Sequence, residues 1–325
     1  MNKLAIINIT SFGREFPENL EELEARVEVE KMLLPEETTQ EELAERLRGF
    51  RYVFLGNHPY FGEAFFSLNQ DVKLIARHGI GYNNVDVKSA ALHGVYATTI
   101  PHEVENDAVA EQAAALLFAA AKNIITADGK ARSGNWNTDR QELVGYQIRD
   151  AVTGIIGLGS IGGRFAQIMK YGFNNRVIVY DPYLEDRKIR NMGYEPVSLE
   201  ELLSQADFVS VHCSLNASTE KLIDAGRLKL MKQDAILINT ARGAIVDEMA
   251  VYEAVKNREI FAYAADAAAV EPIPSDHPLC GIPHVIITPH SAIYNRTCMY
   301  QMNRKVMEDL YLMEAGKEPK GIVTE

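Results

Sequence analysis

Three residues in the second half of the chain carry side chains suited to proton transfer and anion binding: Arg242 in "NTARG", Glu271 in "DAAAVEP" and His290 in "TPHSA". An imidazole has an ordinary pKa of about 6.5, so His290 can exchange a proton with a reacting oxygen near neutral pH. A carboxylate bonded to its ring, such as that of Glu271, would orient it and favour the imidazolium. The guanidinium of Arg242 offers a fork of donors that fits a carboxylate or a carbonyl oxygen.

Each of these residues also has a purely structural interpretation. Arg242 can cap a loop, Glu271 can be an exposed loop acid before a proline, and His290 can be a buried imidazole with satisfied hydrogen bonds. His212, after the predicted strand "DFVSV", is explained equally well as structural or as a ligand contact. No cluster of residues has the spacing typical of metal ligands. Because all of these residues follow predicted strands, the pattern as a whole favours a binding site at one edge of a sheet.

The stretch "VTGIIGLGSIGGRF" predicts a strand, a glycine turn and a helix that together bind a dinucleotide. Gly157 permits the tight turn, Gly159 lets a pyrophosphate approach the backbone, and Gly162 lets helix and strand pack closely. Ser160 and Ile161 begin the helix, whose N-terminal amides and partial positive charge favour phosphate. A turn of this kind also occurs for packing alone, so the motif needs support from elsewhere in the sequence.

Asp181 supplies that support, because it ends the next predicted strand about 20 residues after the glycines. A carboxylate at this place accepts hydrogen bonds from the adenosine ribose of NAD and repels the extra phosphate of NADP. We therefore predict NAD as the cofactor, although Arg187 nearby leaves NADP open. Thr240 and Ala241, which follow the strand "AILIN", lie at the predicted edge and join His212 as expected cofactor contacts.

Strand-like and helical patterns alternate along nearly the whole chain, which predicts two doubly wound parallel-sheet α/β domains. We expect a helix from about residue 18 to residue 33, a long alanine-rich helix after Pro101 capped near Asn106 or Asp107, and a last helix over residues 296–314. Ser198 and Glu201 predict a capping box, and Asp247 is expected to cap the helix "EMAVYEAVKNRE". The expected division is a substrate domain formed by residues 1–100 and 296–325, with the nucleotide-binding domain, residues 101–295, inserted into it.

Composition narrows the classes of protein further. The 325 residues are 47% hydrophobic and 24% charged, which suits a large folded core. A formal net charge of −12 argues against nucleic acid as a partner. The cysteines, Cys213, Cys280 and Cys298, form no CxxC pair, which favours a reducing, cytoplasmic compartment. We find neither a signal peptide nor an apolar run long enough for a membrane span.

Taken together, the motifs from about Val72 to His290 resemble the D-isomer-specific 2-hydroxyacid dehydrogenases. The resemblance is carried by "RHGIGYNNVD", "AVAEQAAALLF", "GIIGLGSIG", "DFVSVHCSL", "LMKQDAILINTARGAIVDE", "DAAAVEP" and "TPHSA". It implies a Rossmann NAD-binding domain inserted into a smaller flavodoxin-like substrate domain, with the active site between them. It also implies a homodimer held by the alanine-rich helix and the polar arm that follows it. The implied reaction interconverts a small 2-oxo acid and its D-2-hydroxy acid.

The resemblance also implies roles for individual residues. Arg242 would bind the substrate carboxylate and carbonyl, with His290 as the acid/base and Glu271 as its partner. Asp266 would contact the nicotinamide carboxamide. The loop "GIGYNN" would offer backbone amides to the substrate carboxylate, a role that falls on Ile80 and Gly81.

The chain departs from the family pattern at several positions. These are Asn83, Gln112, Ser214 and Ala268, of which the last leaves more room near the site. None of them removes a catalytic group, but because of them the family pattern does not identify the substrate. Two other functions on the same fold also remain open: an NAD(H)-sensing interaction protein related to corepressors, and a dehydrogenase of phosphite or formate.

Overall fold

The computed structural model describes residues 1–137 and 139–324, and the chain divides into two compact units. Unit 1 comprises Met1–Glu105 and Tyr294–Glu325, and unit 2 comprises Asn106–Ile293. The boundaries lie a few residues from the expected ones, and the first falls inside the helix that begins at His102 instead of before Pro101. Unit 2 is thus continuous in sequence, and unit 1 is built from both ends of the chain.

Unit 1 contains a parallel five-stranded sheet in the order β2-β1-β3-β4-β5, the order of flavodoxin-like folds. Its central strands are completely buried, as expected of parallel strands covered on both faces. The strands are β1 (Lys3–Ile7), β2 (Glu28–Met32), β3 (Tyr52–Leu55), β4 (Leu74–Arg77) and β5 (Tyr96–Thr98).

The expected helix over residues 18–33 is wrong in its second half. A short helix, α1 (Pro17–Glu24), is followed by strand β2, which pairs in parallel with β1. The residues "VEVE" at 27–30 alternate between apolar and polar, and in β2 Val29 is half-buried while Glu28 and Glu30 are exposed. This alternation is typical of an edge strand, and pairing with β1 outweighs the helix propensity of the glutamates.

Unit 2 contains a parallel seven-stranded sheet in the order β12-β11-β10-β9-β6-β7-β8. Counted from β6, the first six strands have the order 3-2-1-4-5-6 of a Rossmann fold, and the seventh extends the sheet. The strands are β6 (Val152–Ile156), β7 (Arg176–Tyr180), β8 (Glu195–Pro196), β9 (Phe208–Val211), β10 (Ile236–Asn239), β11 (Ala262–Ala265) and β12 (Val285–Ile287). The predicted fold class is confirmed.

Several of the helices begin where a short polar side chain caps them. The predicted capping box of Ser198 and Glu201 is confirmed, as is the N-cap at Asp247. The last helix has the predicted bounds and is capped by Asn295. The helices of unit 1 are α2 (Gln40–Arg46), α3 (Glu63–Leu68), α4 (Val87–Leu92) and α12 (Arg296–Glu314). Those that follow β5 are α5 (His102–Ala121), α6 (Ile124–Arg132), α7 (Ser160–Gln167), α8 (Asp186–Asn191), α9 (Leu199–Gln205), α10 (Ala225–Leu228) and α11 (Glu248–Lys256).

The alanine-rich helix α5 begins at His102, so the predicted cap at Asn106 or Asp107 is wrong. Pro101 directly precedes the first helical residue, where its lack of an N–H costs no intrahelical bond. Within the described residues, no single helix is long and apolar enough to cross a membrane. Only α5 and α6 together, bent by 61°, reach the required length and composition.

Candidate functional site

The glycine turn after β6 has the geometry that a bound pyrophosphate requires. Gly157 has a φ of +92°, and a Cβ added to it would lie 2.8 Å from the backbone nitrogen of Cys213. A Cβ on Gly162 would overlap the carbonyl oxygen of Gly157. A Cβ on Gly159, by contrast, would meet nothing within 4 Å, which leaves space above the turn.

Helix α7 starts directly after this turn, at Ser160 and Ile161, with Gly159 as an N-cap that makes no side-chain hydrogen bond. Its first amides therefore remain available to a ligand, and the partial positive charge of the helix start favours phosphate. The turn, the open space and the uncapped helix start fit the pyrophosphate of a dinucleotide.

Asp181, directly after β7, is held rigidly beside the glycine turn. Its Oδ2 accepts the amide of Leu158 at 2.8 Å and its Oδ1 accepts the amide of Tyr183 at 2.9 Å. The residue is half-buried, and each oxygen keeps a lone pair for a further donor. A fixed negative charge at this place suits ribose hydroxyls and opposes a phosphate.

His212 lies next to the glycine turn as a neutral residue. Its Nε2 is 2.8 Å from the hydroxyl of Ser210, while its Nδ1 is buried without a hydrogen-bond partner among the described residues. Burial lowers the pKa of His212 to about 3, so the ring does not carry a positive charge near neutral pH. His212 can contact a cofactor as a polar, uncharged ring.

The loop after β10 carries Arg242, and the side chain of Asn239 fixes the backbone of this loop through two hydrogen bonds. The fully buried amide of Asn239 donates to the carbonyl of Arg242 at 2.9 Å and accepts the amide of Ala241 at 3.0 Å. The exposed guanidinium of Arg242 donates to the carbonyl of Ala241 at 2.7 Å, and it forms no ion pair within the described part of the chain. Thr240, two residues before Arg242, has a buried hydroxyl without a hydrogen-bond partner among the described residues, a group that a ligand could satisfy.

His290 and Glu271 form the hydrogen-bonded pair that the sequence predicts. His290 Nδ1 lies 2.8 Å from Glu271 Oε2, and the side chains are 45% and 40% exposed. Because a carboxylate only accepts hydrogen bonds, Nδ1 donates. Nε2 of His290 makes no hydrogen bond to the residues described. His290 has a φ of +49°, an unusual value for a residue other than glycine and one found preferentially at functional sites.

Asp266, at the end of β11, holds the loop that carries His290. Its buried carboxylate accepts the amide of Ser291 at 3.0 Å, the amide of Ala292 at 2.8 Å and the hydroxyl of Thr288. Gln112 of α5, which departs from the family pattern, donates to that same hydroxyl at 3.1 Å. Sequence reasoning did not find the loop-holding role of Asp266 or of Asn239, although both follow strands whose ends it had marked.

In unit 1, Ile80 and Gly81 lie in the loop after β4. Their amides donate to no group in the described parts of the chain, so both remain available. The loop is held by the buried Arg77, whose Nε donates to the carbonyl of Gly81 at 2.8 Å. Sequence reasoning overlooked Arg77, the last residue of a buried strand. Among the described residues, no group of three His, Cys, Asp or Glu side chains lies close enough together to hold a metal ion.

Unit 2 thus has the sheet order, the glycine turn and the strand-end acid of a dinucleotide-binding domain. Residues 114–292 match the family model described as "D-isomer specific 2-hydroxyacid dehydrogenase, NAD binding domain". The chain belongs to the D-isomer-specific 2-hydroxyacid dehydrogenase family. It is an enzyme of the dehydrogenase class, and its cofactor is NAD.

Individual relatives agree with this family. The chain is 34% identical to a glyoxylate reductase of Korarchaeum cryptofilum over 96% of its own length and 94% of that protein. It is 31% identical to a D-3-phosphoglycerate dehydrogenase of Archaeoglobus fulgidus over 86% of its length and 52% of that protein. The crystal structure of the TT0316 protein from Thermus thermophilus superposes with a TM-score of 0.86 at 31% identity, covering 99% of this chain and all of that one.

Proposed function

We propose that the protein reduces a small 2-oxo acid to the D-2-hydroxy acid with NADH, and that it catalyses the reverse oxidation with NAD. The observation that carries the proposal is the hydrogen bond of 2.8 Å between His290 Nδ1 and Glu271 Oε2, which leaves Nε2 of the ring unused. It occurs at the same sheet edge as the nucleotide turn, where ligands of open parallel sheets bind.

His290 is the proposed acid/base. With Nδ1 bonded to the carboxylate of Glu271, the protonated ring presents Nε2–H to the carbonyl oxygen and can neutralise the alkoxide as it forms. Glu271 keeps the ring in one orientation and stabilises its positive charge. When bound, the nicotinamide cofactor supplies the hydride. The same imidazole accepts the hydroxyl proton in the reverse direction.

Arg242 is the proposed substrate anchor. Its exposed guanidinium has further N–H donors after the hydrogen bond to Ala241, and it can bind a carboxylate through two hydrogen bonds. The amides of Ile80 and Gly81, which donate to no group among the described residues, are proposed as donors to a substrate carboxylate, as the family resemblance implies. Unit 1 would accordingly be the substrate domain.

The proposed cofactor contacts are the residues at the carboxyl edge of the seven-stranded sheet. The glycine turn and the start of α7 would hold the pyrophosphate, and Asp181 would bind the adenosine ribose and favour NAD over NADP. For Asp266 we propose a contact with the nicotinamide carboxamide, beside its hydrogen bonds to the 288–292 loop. The complete set is Gly157, Gly159, Ser160, Ile161, Gly162, Asp181, His212, Thr240, Ala241 and Asp266.

Glyoxylate is the first substrate that we propose, because a glyoxylate reductase matches nearly the full length of this chain. The side chain of Ala268, small where the family pattern is often bulky, leaves room for a larger acid such as hydroxypyruvate. The test is to follow oxidation of NADH with glyoxylate, pyruvate and hydroxypyruvate, and to determine the chirality of the lactate formed from pyruvate. We expect turnover and D-lactate.

Three outcomes would contradict this proposal. A protein that binds NADH but oxidises it with no 2-oxo acid would act as a sensor, and one that reduces NAD only with phosphite or formate would be a dehydrogenase of those anions. L-lactate as the product would contradict the proposed stereochemistry. All three assays use the same purified protein.

We also propose a homodimer, located in the cytoplasm and without nucleic acid or membrane partners. The proposal of a dimer is supported by exposed apolar side chains on α6 and the arm after it, among them Ile125, Trp136 and Val144 at 60%, 72% and 63% exposure. Large apolar side chains exposed along one segment are expected where another chain covers the surface. Light scattering after size exclusion would give the mass, and a monomer would contradict the proposal.

A further inference from the structure

Glu248, the first residue of α11, directs its carboxylate to groups outside its own helix. The N-cap is the preceding residue, Asp247, whose side chain accepts the amide of Ala250. The side chain of Glu248 is only 10% exposed, and its Oε1 accepts the amide of Ala269 at 2.8 Å. Its Oε2 lies 3.5 Å from Nε2 of His277, whose side chain is 19% exposed. A carboxylate withdrawn from water in this way makes a strong, directional bond to an amide.

The amide that Glu248 binds belongs to residues 268–271, the segment that ends in Glu271. One residue earlier, the amide of Ala268 donates to Oε1 of Glu271 at 3.0 Å, while Oε2 of the same carboxylate holds His290. The backbone conformation of residues 268–271 therefore determines where the His290 ring is held.

The same segment also supports the Arg242 loop. Gly243 packs so closely on it that an added Cβ would overlap the carbonyl carbon of Ala268 and the nitrogen of Ala269. Arg242 is the residue before Gly243, so a shift of the Ala268–Ala269 peptide would move the guanidinium as well. One short piece of backbone thus lies against the residue that follows Arg242 and carries the carboxylate that binds His290.

We propose that Glu248 is a positioning residue: through the amide of Ala269 it fixes the 268–271 segment, and thereby places both Arg242 and the Glu271–His290 pair. Nε2 of His277 lies 3.5 Å from the other oxygen of the Glu248 carboxylate. The inference rests on the proposed function for its kinetic test. Glu248 itself touches neither substrate nor cofactor, since it acts through the backbone.

Two substitutions separate the hydrogen bond from the charge. Glu248→Ala removes the acceptor, and we expect kcat to fall and KM for glyoxylate to rise, with kcat/KM reduced about thirtyfold, because small displacements of catalytic groups cost one to two orders of magnitude. KM for NADH should change by less than about twofold, since the glycine turn is separate from this segment. Glu248→Gln keeps an oxygen for Ala269, and we expect it to restore kcat/KM to within about threefold of the wild type.

Glu253→Ala is the matched control, because Glu253 lies on the same helix with its side chain 56% exposed and only a distant ion pair to Lys256. It should leave kcat and both KM values unchanged. A merely structural role of Glu248 would lower the melting temperature without this division between the two KM values and without rescue by Gln. Unchanged kinetics of a folded Glu248→Ala protein would overturn the inference.

A second measurement needs no substrate. Hydrogen exchange at the amides of Ala268 and Ala269, followed in the wild type and the three variants, should be at least about tenfold faster in Glu248→Ala alone, because the amide of Ala269 loses its partner. Equal exchange rates in all four proteins would also overturn the inference. If the wild type reduces no 2-oxo acid, the proposed function fails, and the exchange rates still decide whether Glu248 fixes the segment.

Discussion

The carboxyl edges of the two sheets use polar residues in opposite ways. At the edge of the seven-stranded sheet, Arg242 and His290 are partly or fully exposed and keep unused donors. At the edge of the five-stranded sheet, Arg77 and Asn84 donate to backbone carbonyls. The first edge offers side chains to a ligand, and the second offers backbone groups that buried side chains hold in place.

Arg77 shows how the second edge is built. Its guanidinium donates to the carbonyls of Leu55, Gly56 and Gly81 and to the side chain of Asn57, and it is 5% exposed. Burial lowers the pKa of Arg77 to about 10, although it remains charged near neutral pH. Two loops are thereby tied to one side chain. An edge of this kind can orient amides for an anion without offering a reactive group.

The largest effect is expected at His290. His290→Ala removes the proposed proton donor, so kcat should fall about a hundredfold or more while binding of NADH stays near normal. Steady-state kinetics and a fluorescence titration with NADH measure the two quantities. His102→Ala, which changes an exposed histidine at the start of α5, is the control. Wild-type turnover in the His290 variant would refute its role.

The two arginines should respond in opposite ways. Arg242→Met should lower kcat/KM about a hundredfold with stability nearly unchanged, because an exposed donor to the developing charge is lost. Arg77→Met should lower the free energy of unfolding by about 3 kcal/mol, because several buried carbonyls lose their donor. Urea unfolding and kinetics on both variants test this contrast. Similar losses of stability in the two variants would contradict the proposed difference between the two sheet edges.

Asp181 should affect the choice of cofactor more than the chemistry. In Asp181→Ala the ribose hydroxyls lose a charged acceptor and NADP loses a repulsive partner, so the NAD preference should weaken about tenfold. The ratio of kcat/KM for NADH and NADPH is the measurement. Asp186→Ala, nearby, exposed and paired with Arg190, is the control. An unchanged ratio in Asp181→Ala would show that the ribose contact is misassigned.

The smallest effect concerns His78 in unit 1. Burial lowers the pKa of His78 to about 4, while a bond between its Nε2 and Asn303 acts in the other direction. Between about pH 6.5 and pH 4 the unfolded chain binds a proton that the folded chain does not. Stability should therefore fall as the pH is lowered through this range, by at most about 1.4 kcal/mol per pH unit.

His78→Gln should remove part of that pH dependence. Urea midpoints at pH 7, 6 and 5 would measure it, with His102→Gln as the exposed control. If the slope with pH is the same in wild type and His78→Gln, the histidine is not buried in its neutral form.

Much of the fold can be predicted from short-range patterns. The bounds of α12, the cap at Asp247 and the capping box of α9 depend on neighbouring residues, and these expectations are confirmed. The local sequence predicts a helix where β2 lies, because the stability of β2 comes from pairing with β1. The paired residues are 25 positions apart, as Lys3 and Glu28 are, and local propensity does not reflect such a contact. The start of α5 was misplaced because several polar residues compete as caps.

For the candidate site, the order of strands and the residues at their ends were enough to bring Asp181, Arg242 and His290 to one sheet edge. The residues that hold the loops of this site in place could not be predicted. Asn239, Glu248 and Asp266 hold backbone amides or carbonyls at other positions, and no side-chain pattern indicates which ones. Nearly every residue type has the same backbone amide and carbonyl, so the sequence does not show which of them a distant side chain binds.

The amino-acid sequence by itself determined the alternation of strands and helices, the dinucleotide turn and the chemical types available at the strand ends. Only the tertiary structure decided that Arg77 is buried and Arg242 exposed, although each lies at the end of a hydrophobic strand. The reason is that burial of a charge depends on acceptors brought from distant segments. The carbonyls that surround Arg77 come from β3 and from the loops after β3 and β4, and folding alone places them there.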